Sequence, residues 1–214
     1  MNVSLRMPVQ AIIADLDNTL YPVSSIGDQL FDELFELLAQ ELDPAILDLA
    51  KADIKRKPFQ WVAEKYGFES RLTARANALL NALEWKGEMQ VFPDYPALRD
   101  YPADRYLVTT GYNRLQESKV RQLGIAGDFI SIHIVDPGQT ADTKKTIFAA
   151  ILKEHGYRPE RVLVVGDDPD SELLAGRELG LVTVLYDPGG KHKAGTADYS
   201  IRSFHELAQL PLPG

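Results

Sequence analysis

The chain has 214 residues, contains no cysteine and carries a formal net charge of −8 at pH 7. The lack of cysteine excludes disulfides, thiolate metal sites and cysteine nucleophiles, and it suits a reducing cytosol. Acidic residues outnumber basic ones 31 to 23. With no long lysine and arginine run, this argues against nucleic acids or anionic membranes as partners. No apolar run has membrane-spanning length and residues 1–10 lack a signal-peptide core, so we predict a cytoplasmic protein.

The first predicted element is a short buried strand that ends in two carboxylates. Residues Ala11–Ala14 are small or apolar and rich in isoleucine, which is typical of a strand buried on both faces. Asp15 and Asp17 follow at the carboxyl end, where open parallel sheets bind ligands. Carboxylates this close repel each other unless a cation lies between them, and Mg²⁺ prefers oxygen ligands. The stretch indicates a Mg²⁺ site that accepts a phosphate, although an ordinary polar turn would use the same residue types.

The next seventy residues carry helical signals only. Apolar residues recur at helical spacing over residues 24–38, and Asp43 followed by proline is typical of a helix start. A short helix that ends at Gly67 and a longer one from about Ser70 complete the block. We therefore predict that residues 21–91 form an all-helical insertion, here called the helical insert. An insertion after the first strand would lie above the two carboxylates, where a lid would be placed.

Strands and helices alternate after residue 91. Further strands are predicted at residues 105–109, 129–135, 161–165, 181–186 and near 199–201. Helices are predicted from about Asn113, from Asp142 or Thr143, over residues 169–179 and from Ser203. This alternation predicts an α/β fold with a doubly wound parallel sheet. The core would comprise residues 1–20 and 92–214, and the helical insert would form a second unit.

Polar side chains also stand at two later points where a strand ends or the following helix starts. Thr109 ends the second strand, and Thr110 and a glycine follow it, whose backbone could approach a phosphate closely. Lys144 lies at a predicted helix start, where an ammonium group and the helix N-terminus both favour an anion. Lys145 is the alternative for the same position. Each residue alone is compatible with an ordinary structural role or a solvated surface charge.

The fourth strand ends in a further acidic group. Asp167 follows the strand, Asp168 comes next, and Glu172 lies five residues beyond Asp167. Alone, this stretch is typical of a strand-to-helix turn with an aspartate cap and a first-turn proline. Together with the other strand ends it supplies metal-binding carboxylates, a nucleophile, a hydroxyl and a cation at one sheet edge. No phosphate-binding loop of the kinase type occurs, and the four histidines show no paired metal-ligand spacing.

This set resembles the haloacid dehalogenase superfamily of phosphohydrolases over about two thirds of the chain. The residues that fit its four motifs, in order, are Asp15-Leu-Asp17-Asn-Thr19, Leu107-Val-Thr109-Thr-Gly, Lys144, and Val164-Val-Gly-Asp167-Asp168 with Glu172. The run from Asp15 through Tyr21 and Pro22 further resembles members related to pyrimidine 5′-nucleotidases. The helical insert resembles the cap that the family carries between its first and second motifs. The chain departs from the family pattern after Lys144, at Glu172 and at Thr110.

The resemblance implies a mechanism and a metal. Asp15 would attack phosphorus, and Asp17 would protonate the leaving oxygen and then activate water. Asp15, the main-chain carbonyl of Asp17 and Asp167 would hold Mg²⁺, with Asp168 or Glu172 in an outer shell. The phosphate would be bound by three residues: Thr109, Thr110 and Lys144.

The predicted function is that of a Mg²⁺-dependent phosphatase acting on a small phosphorylated metabolite, with nucleoside monophosphates among the candidates. An acid at Asp17 favours phosphoester hydrolysis, since halide-displacing members of the superfamily lack one there. Two alternatives stay open: a phosphomutase with the same site, and a non-catalytic binding module on this fold. No sequence feature indicates an oligomeric state.

Overall fold

The computed structural model describes residues 8–26, 28–54, 57, 59–193 and 195–211. Within these residues, six strands form one sheet: β1 (Ala11–Ala14), β2 (Asp104–Thr110), β3 (Ser131–Val135), β4 (Val162–Gly166), β5 (Val182–Tyr186) and β6 (Tyr199–Ile201). The strand order is β3-β2-β1-β4-β5-β6 and every neighbouring pair is parallel. The predicted α/β fold with a doubly wound parallel sheet is confirmed. The predictions for residues 1–7 lie outside the described residues.

Strand β1 lies in the middle of the sheet, and all four of its residues are buried. Ile12 and Ala14 belong to one apolar core, and Ala11 and Ile13 belong to the core on the opposite face. This is the alternation that a strand imposes on successive side chains. The chain moves from β1 outward to β3 and then returns to β4 on the other side of β1. The strand order therefore reverses between β1 and β4, and their carboxyl ends border the crevice where such sheets bind ligands.

Eight α-helices flank or extend this sheet in the described part of the chain. Four lie in the helical insert: α1 (Asp32–Ala39), α2 (Pro44–Ile54), α3 (Phe59–Lys65) and α4 (Ser70–Ala82). The other four are α5 (Tyr95–Arg99), α6 (Asn113–Leu123), α7 (Lys144–His155) and α8 (Glu172–Glu178). None of the helices described combines the length and the apolar character needed to cross a bilayer.

The helical insert has an apolar core of its own. Leu38, Val62 and Ala76, from three of its helices, are fully buried in one cluster that is separate from the two cores of the sheet. Among the described residues of this segment no strand runs between β1 and β2, as the periodicity predicts. Burial of each amphipathic face against the others accounts for the stability of helices this short.

The first predicted helix starts later than expected. Two 3₁₀ segments, Val23–Ser25 and Asp28–Phe31, replace its first turns, and α1 begins only at Asp32. The sequence places Gly27, a poor helix former, between the two 3₁₀ segments. Apolar periodicity alone does not show such an interruption.

Two predictions near the carboxyl half also need correction. Helix α8 begins at Glu172 rather than Pro169, because the Asp168 carboxylate accepts a hydrogen bond from the Asp170 amide and closes a turn there. The segment after Ser203 is a 3₁₀ helix, Phe204–Gln209, rather than an α-helix. Ser203 does cap it, since its hydroxyl accepts a hydrogen bond from the His205 amide.

Candidate active site

The turn after β1 presents both aspartates to the crevice. The Asp15 amide donates to the Val165 carbonyl (3.0 Å), so pairing with the neighbouring strand continues one residue past β1. Asn18 then adopts a left-handed conformation with φ of 57°, which asparagine tolerates better than most residues. Its side-chain oxygen accepts a hydrogen bond from the Val23 amide (3.2 Å). This local turn holds Asp17 beside Asp15 at the sheet edge.

Three carboxylates converge at this edge. Oxygen atoms of Asp15, Asp167 and Glu172 lie within 4.8 Å of one another. Asp15 and Glu172 are buried and Asp167 is half-buried. An all-oxygen set of this kind suits Mg²⁺, which binds through carboxylates and water. Glu172 rather than Asp168 joins the group, since the Asp168 carboxylate accepts a hydrogen bond from the amide two residues on.

A glycine makes room for Glu172. A Cβ atom on Gly166 would lie 2.1 Å from Glu172 Oε1 and 2.3 Å from its Cγ. The Glu172 side chain therefore folds back across the end of β4, where its Oε1 accepts a hydrogen bond from the Asp168 amide (2.8 Å). Because Glu172 is only 1% exposed, it has little space into which it could move.

Gly166→Ala should therefore displace Glu172 and weaken divalent-ion binding. We expect the Mg²⁺ dissociation constant to rise about tenfold or more, as for loss of a residue that orients metal ligands. Titration calorimetry measures this directly. The matched control is Gly127→Ala, because a Cβ there meets no atom within 4 Å. Unchanged Mg²⁺ affinity in Gly166→Ala would contradict the placement of Glu172.

Lys144 places a positive charge beside two of these carboxylates. Its ammonium nitrogen lies 2.7 Å from Asp15 Oδ1 and 2.7 Å from Glu172 Oε2, and the side chain is buried. Thr143 caps α7, since its hydroxyl accepts a hydrogen bond from the Thr146 amide, so Lys144 is the first residue of the helix. Lys145 instead forms an exposed ion pair with Glu178 (2.9 Å). Of the two candidate lysines, the structure brings only Lys144 to the carboxylates.

Burial and the nearby negative charges disfavour the ionised forms of Asp15 and Asp167 when no metal cation is bound. Burial raises the pKa of Asp15 well above its ordinary value, and Glu172 and Asp17 add to the rise while Lys144 offsets part of it. Burial, with the charges of Glu172 and Asp168, raises the pKa of Asp167 to about 6. Burial lowers the pKa of Lys144, but the two carboxylates outweigh it and the net shift is upward. A divalent cation among these oxygens would relieve the repulsion, so the residues present fit Mg²⁺.

The raised pKa values of Asp15 and Asp167 predict how the free energy of unfolding depends on pH in buffer without divalent ions. In the folded protein Asp15 and Asp167 hold protons at pH values where the unfolded chain has lost them. The folded state then binds more protons, so the free energy of unfolding falls as pH rises from about 4 through about 8. Urea unfolding in EDTA at a series of pH values tests this. Saturating Mg²⁺ should flatten the slope, and a slope unaffected by Mg²⁺ would contradict the metal assignment.

Asp17 lies in a second polar group that the sequence did not reveal. Its Oδ1 accepts from the Lys119 ammonium (2.7 Å) and from the Tyr21 hydroxyl, and its Oδ2 accepts from Gln116 Nε2 (2.8 Å). Burial alone would raise the pKa of Asp17, but the Lys119 charge and these three donors together lower it. Gln116 and Lys119 were missed because they lie within α6. A spacing of three residues puts both side chains on the same face of a helix that starts shortly after Thr109. This is the sequence signal that could have identified them.

The two threonines of the second motif take different positions. Thr109 is buried, and its hydroxyl accepts a hydrogen bond from Gln116 Nε2 (2.7 Å). Thr110 is exposed at the end of β2, and its main-chain carbonyl lies 3.3 Å from the same nitrogen. Both residues line the same crevice as Asp15 and Lys144.

The crevice is part of a cleft of about 570 Å³. Its lining includes the polar residues described above and apolar residues of the helical insert, Phe31, Ile54, Phe59 and Leu80. Tyr112 lines it from the core side with a buried hydroxyl that has no hydrogen-bond partner among the described residues. The cleft therefore combines a charged end with an apolar wall, as small-molecule sites commonly do.

Comparison with solved structures shows the same fold in several hydrolases. The magnesium-bound HAD hydrolase YfnB of Bacillus subtilis superposes with a TM-score of 0.65 at 18% identity, over 95% of this chain and 98% of that one. A HAD phosphatase from Thermococcus onnurineus gives 0.63 at 20% identity, over 94% and 96%.

Curated relatives include phosphatases and nucleotidases. The ribulose-1,5-bisphosphate 5-phosphatase of Halopiger xanaduensis is 26% identical over 94% of this chain and 98% of its own length. The glyceraldehyde 3-phosphate phosphatase of Methanopyrus kandleri is 24% identical over 82% and 83%. The pyrimidine 5′-nucleotidase YjjG of Escherichia coli is 32% identical, but the match spans 49% of this chain and about half, 48%, of that relative.

The predicted superfamily resemblance is confirmed by a sequence profile that covers most of the chain. The profile of haloacid dehalogenase-like hydrolases matches residues 9–180, which include β1 to β4 and every site residue described above. With the parallel sheet and the acidic crevice at its carboxyl edge, this match places the chain in the haloacid dehalogenase-like hydrolase family.

Proposed function

We propose that this chain is a Mg²⁺-dependent phosphatase that acts on a small phosphate monoester through an aspartyl-phosphate intermediate. The observation that supports this most is the contact of Asp15 with Lys144 beside Asp167 and Glu172, at the switch point of the sheet. A nucleophile, a cation and a set of metal ligands thus share one end of the cleft. Mg²⁺, held by Asp15, the Asp17 carbonyl and Asp167, would supply positive charge that lets an anionic ester approach a carboxylate.

Asp15 is the proposed nucleophile. One of its carboxylate oxygens forms a bond to phosphorus while the bond from phosphorus to the ester oxygen breaks. Lys144 lies 2.7 Å from Asp15 and would contact the non-bridging oxygens of the same phosphoryl group. Thr109 and the backbone after it would bind the remaining oxygens, with Thr110 at the cleft edge.

Asp17 is the proposed acid and base. It would first take up a proton, supplied by the monoanion of the bound ester or by solvent, and give it to the departing ester oxygen. It would then take a proton from the water that attacks the aspartyl-phosphate. The Lys119 contact, which keeps the free carboxylate ionised, suits the second of these steps. Glu172 is the proposed outer acid of the metal site, and it also holds Lys144 in place.

The helical insert is proposed as the cap that selects the organic part of the substrate. Its Phe31 and Phe59 line the same cleft as Asp15, and aromatic side chains suit a planar ring such as a nucleobase. The nucleotidase resemblance and the partial match to YjjG support nucleoside monophosphates as the first substrates to test. The cysteine-free sequence supports a cytoplasmic location.

A screen of phosphorylated metabolites with inorganic phosphate as readout tests the proposal. We expect phosphate release that needs Mg²⁺, stops in EDTA and returns when Mg²⁺ is added in excess. Isomer formation without net phosphate release would favour the phosphomutase alternative. Binding of phosphate esters without turnover would favour the non-catalytic module.

A further inference from the structure

One buried amide joins the two halves of the site. Gln116 Nε2 lies 2.8 Å from Asp17 Oδ2 and 2.7 Å from the Thr109 hydroxyl oxygen, and the residue is 1% exposed. A flipped amide would bring its oxygen against the Asp17 carboxylate, so hydrogen-bond chemistry assigns the nitrogen to this side. Gln116 therefore links the proposed acid and base directly to the proposed phosphate-binding hydroxyl.

Lys119 completes the link from the other side of the carboxylate. It lies three residues after Gln116 on the same face of α6, and its ammonium nitrogen is 2.7 Å from Asp17 Oδ1. The two carboxylate oxygens of Asp17 are thus held by two residues of one helix. A helix is a more rigid support for such a pair than a loop would be.

Helix α6 is held at two points, its first residue and Ser118. The Asn113 amide, at the first residue of the helix, donates to Asp136 Oδ2 (3.2 Å). Ser118 lies between Gln116 and Lys119 in the sequence, and its Oγ accepts a hydrogen bond from the Trp85 amide (2.8 Å). Because Trp85 belongs to the segment that returns from the helical insert, α6 is tied to the insert as well as to the sheet.

Stability does not explain these two residues. A buried lysine and a buried amide cost free energy unless they are fully paired, and apolar residues of similar size often serve a core better. The side-chain oxygen of Gln116 is buried without a hydrogen-bond partner among the described residues, which adds to the cost. Their contacts with Asp17 instead point to a role in the site.

We propose that Gln116 and Lys119 are positioning residues that set the placement of the Asp17 carboxylate relative to the Thr109 hydroxyl. The inference rests on the proposed phosphatase function. It concerns the steps in which Asp17 moves a proton, whereas the phosphate contacts proposed for Lys144 and the metal ligands do not involve either residue. Loss of either side chain should therefore impair proton transfer more than substrate binding.

Two variants and two esters separate these effects. In Lys119→Met and in Gln116→Leu we expect kcat to fall about 10- to 100-fold, part of what a positioned acid and base contributes, with KM changed less than about threefold. For kcat/KM, the loss should be larger with the best alkyl phosphate of the screen than with 4-nitrophenyl phosphate. The 4-nitrophenolate leaving group departs without a proton, so it does not need a placed acid.

Binding of Mg²⁺ with beryllium trifluoride, an analogue of the phosphoryl group on Asp15, gives a readout that does not depend on turnover. Calorimetry should show affinities within about threefold of the parent protein, because Asp15, Lys144 and the metal ligands are unchanged. The matched controls are Lys153→Met and Gln122→Leu, which alter exposed residues of α7 and α6. Both controls should behave as the parent does.

The outcomes distinguish this inference from the proposed function. An unchanged kcat in both variants, or equal losses of kcat/KM with both esters, would overturn the positioning role. Weakened beryllium trifluoride binding would also overturn it, because the residues would then support the phosphate site as a whole. A parent protein that hydrolyses neither ester would instead refute the proposed function.

Discussion

Asp15→Asn should lower kcat for phosphate release by at least about 10³-fold, as loss of a nucleophile does in other enzymes that act through a covalent intermediate. An amide has the same size as the carboxylate but cannot form the phosphoryl bond. Lys144 would lose one of its two carboxylate partners and keep Glu172 at 2.7 Å. Steady-state phosphate release under saturating substrate and Mg²⁺ measures the effect.

The fold should survive this substitution. Because burial disfavours the charged form of Asp15, a neutral amide there should cost little stability in buffer without Mg²⁺. The increase in Tm on adding Mg²⁺ should become smaller, since one ligand of the ion is lost. Asp48→Asn, which alters an exposed residue of α2, is the matched control and should match the parent in both assays. Turnover by Asp15→Asn at the parental rate would refute the nucleophile assignment.

Lys144→Met should damage both activity and stability. Its removal leaves Asp15 and Glu172 buried with no cation between them, and breaking one side of a buried ion pair typically costs about 3 kcal/mol or more. The loss of positive charge at the phosphoryl group should also lower kcat/KM by about 10²-fold or more. Urea unfolding and initial-rate kinetics measure the two effects.

Addition of Mg²⁺ to Lys144→Met should separate the effect on stability from the effect on activity. The ion should restore part of the lost stability, because it supplies charge to the same carboxylates, while kcat/KM stays low. Lys145→Met is the matched control, since Lys145 forms an exposed ion pair with Glu178 and does not line the crevice. If Lys145→Met were the inactive variant and Lys144→Met the active one, the placement of the phosphate-binding lysine would be wrong.

The parts of the site that follow strand ends were predictable. Apolar runs such as Ala11–Ala14 show where a buried strand stops, and polar residues that come directly after parallel strands meet at one edge. Lys144 could be chosen over its neighbour because Thr143 is a good cap and fixes the first helical residue. These inferences need only local sequence and the topology of the sheet.

The remaining parts depend on contacts between distant segments. Gln116 and Lys119 look like ordinary polar residues of a helix, and only packing of α6 against the sheet buries them beside Asp17. Glu172 joins the acidic cluster because Gly166 has no side chain, a contact that a motif spacing does not reveal. The late start of α1 likewise follows from local geometry that apolar periodicity does not register.

The measurement that tests the account most directly is a crystal structure grown with Mn²⁺ and beryllium trifluoride, with anomalous data for the ion. We expect the anomalous peak at about 2.2 Å from oxygen atoms of Asp15 and Asp167, with beryllium bonded to the other Asp15 oxygen. Lys144 should then contact a fluoride. A peak elsewhere, or beryllium trifluoride bound away from Asp15, would contradict the claim that this crevice activates a carboxylate for phosphoryl transfer.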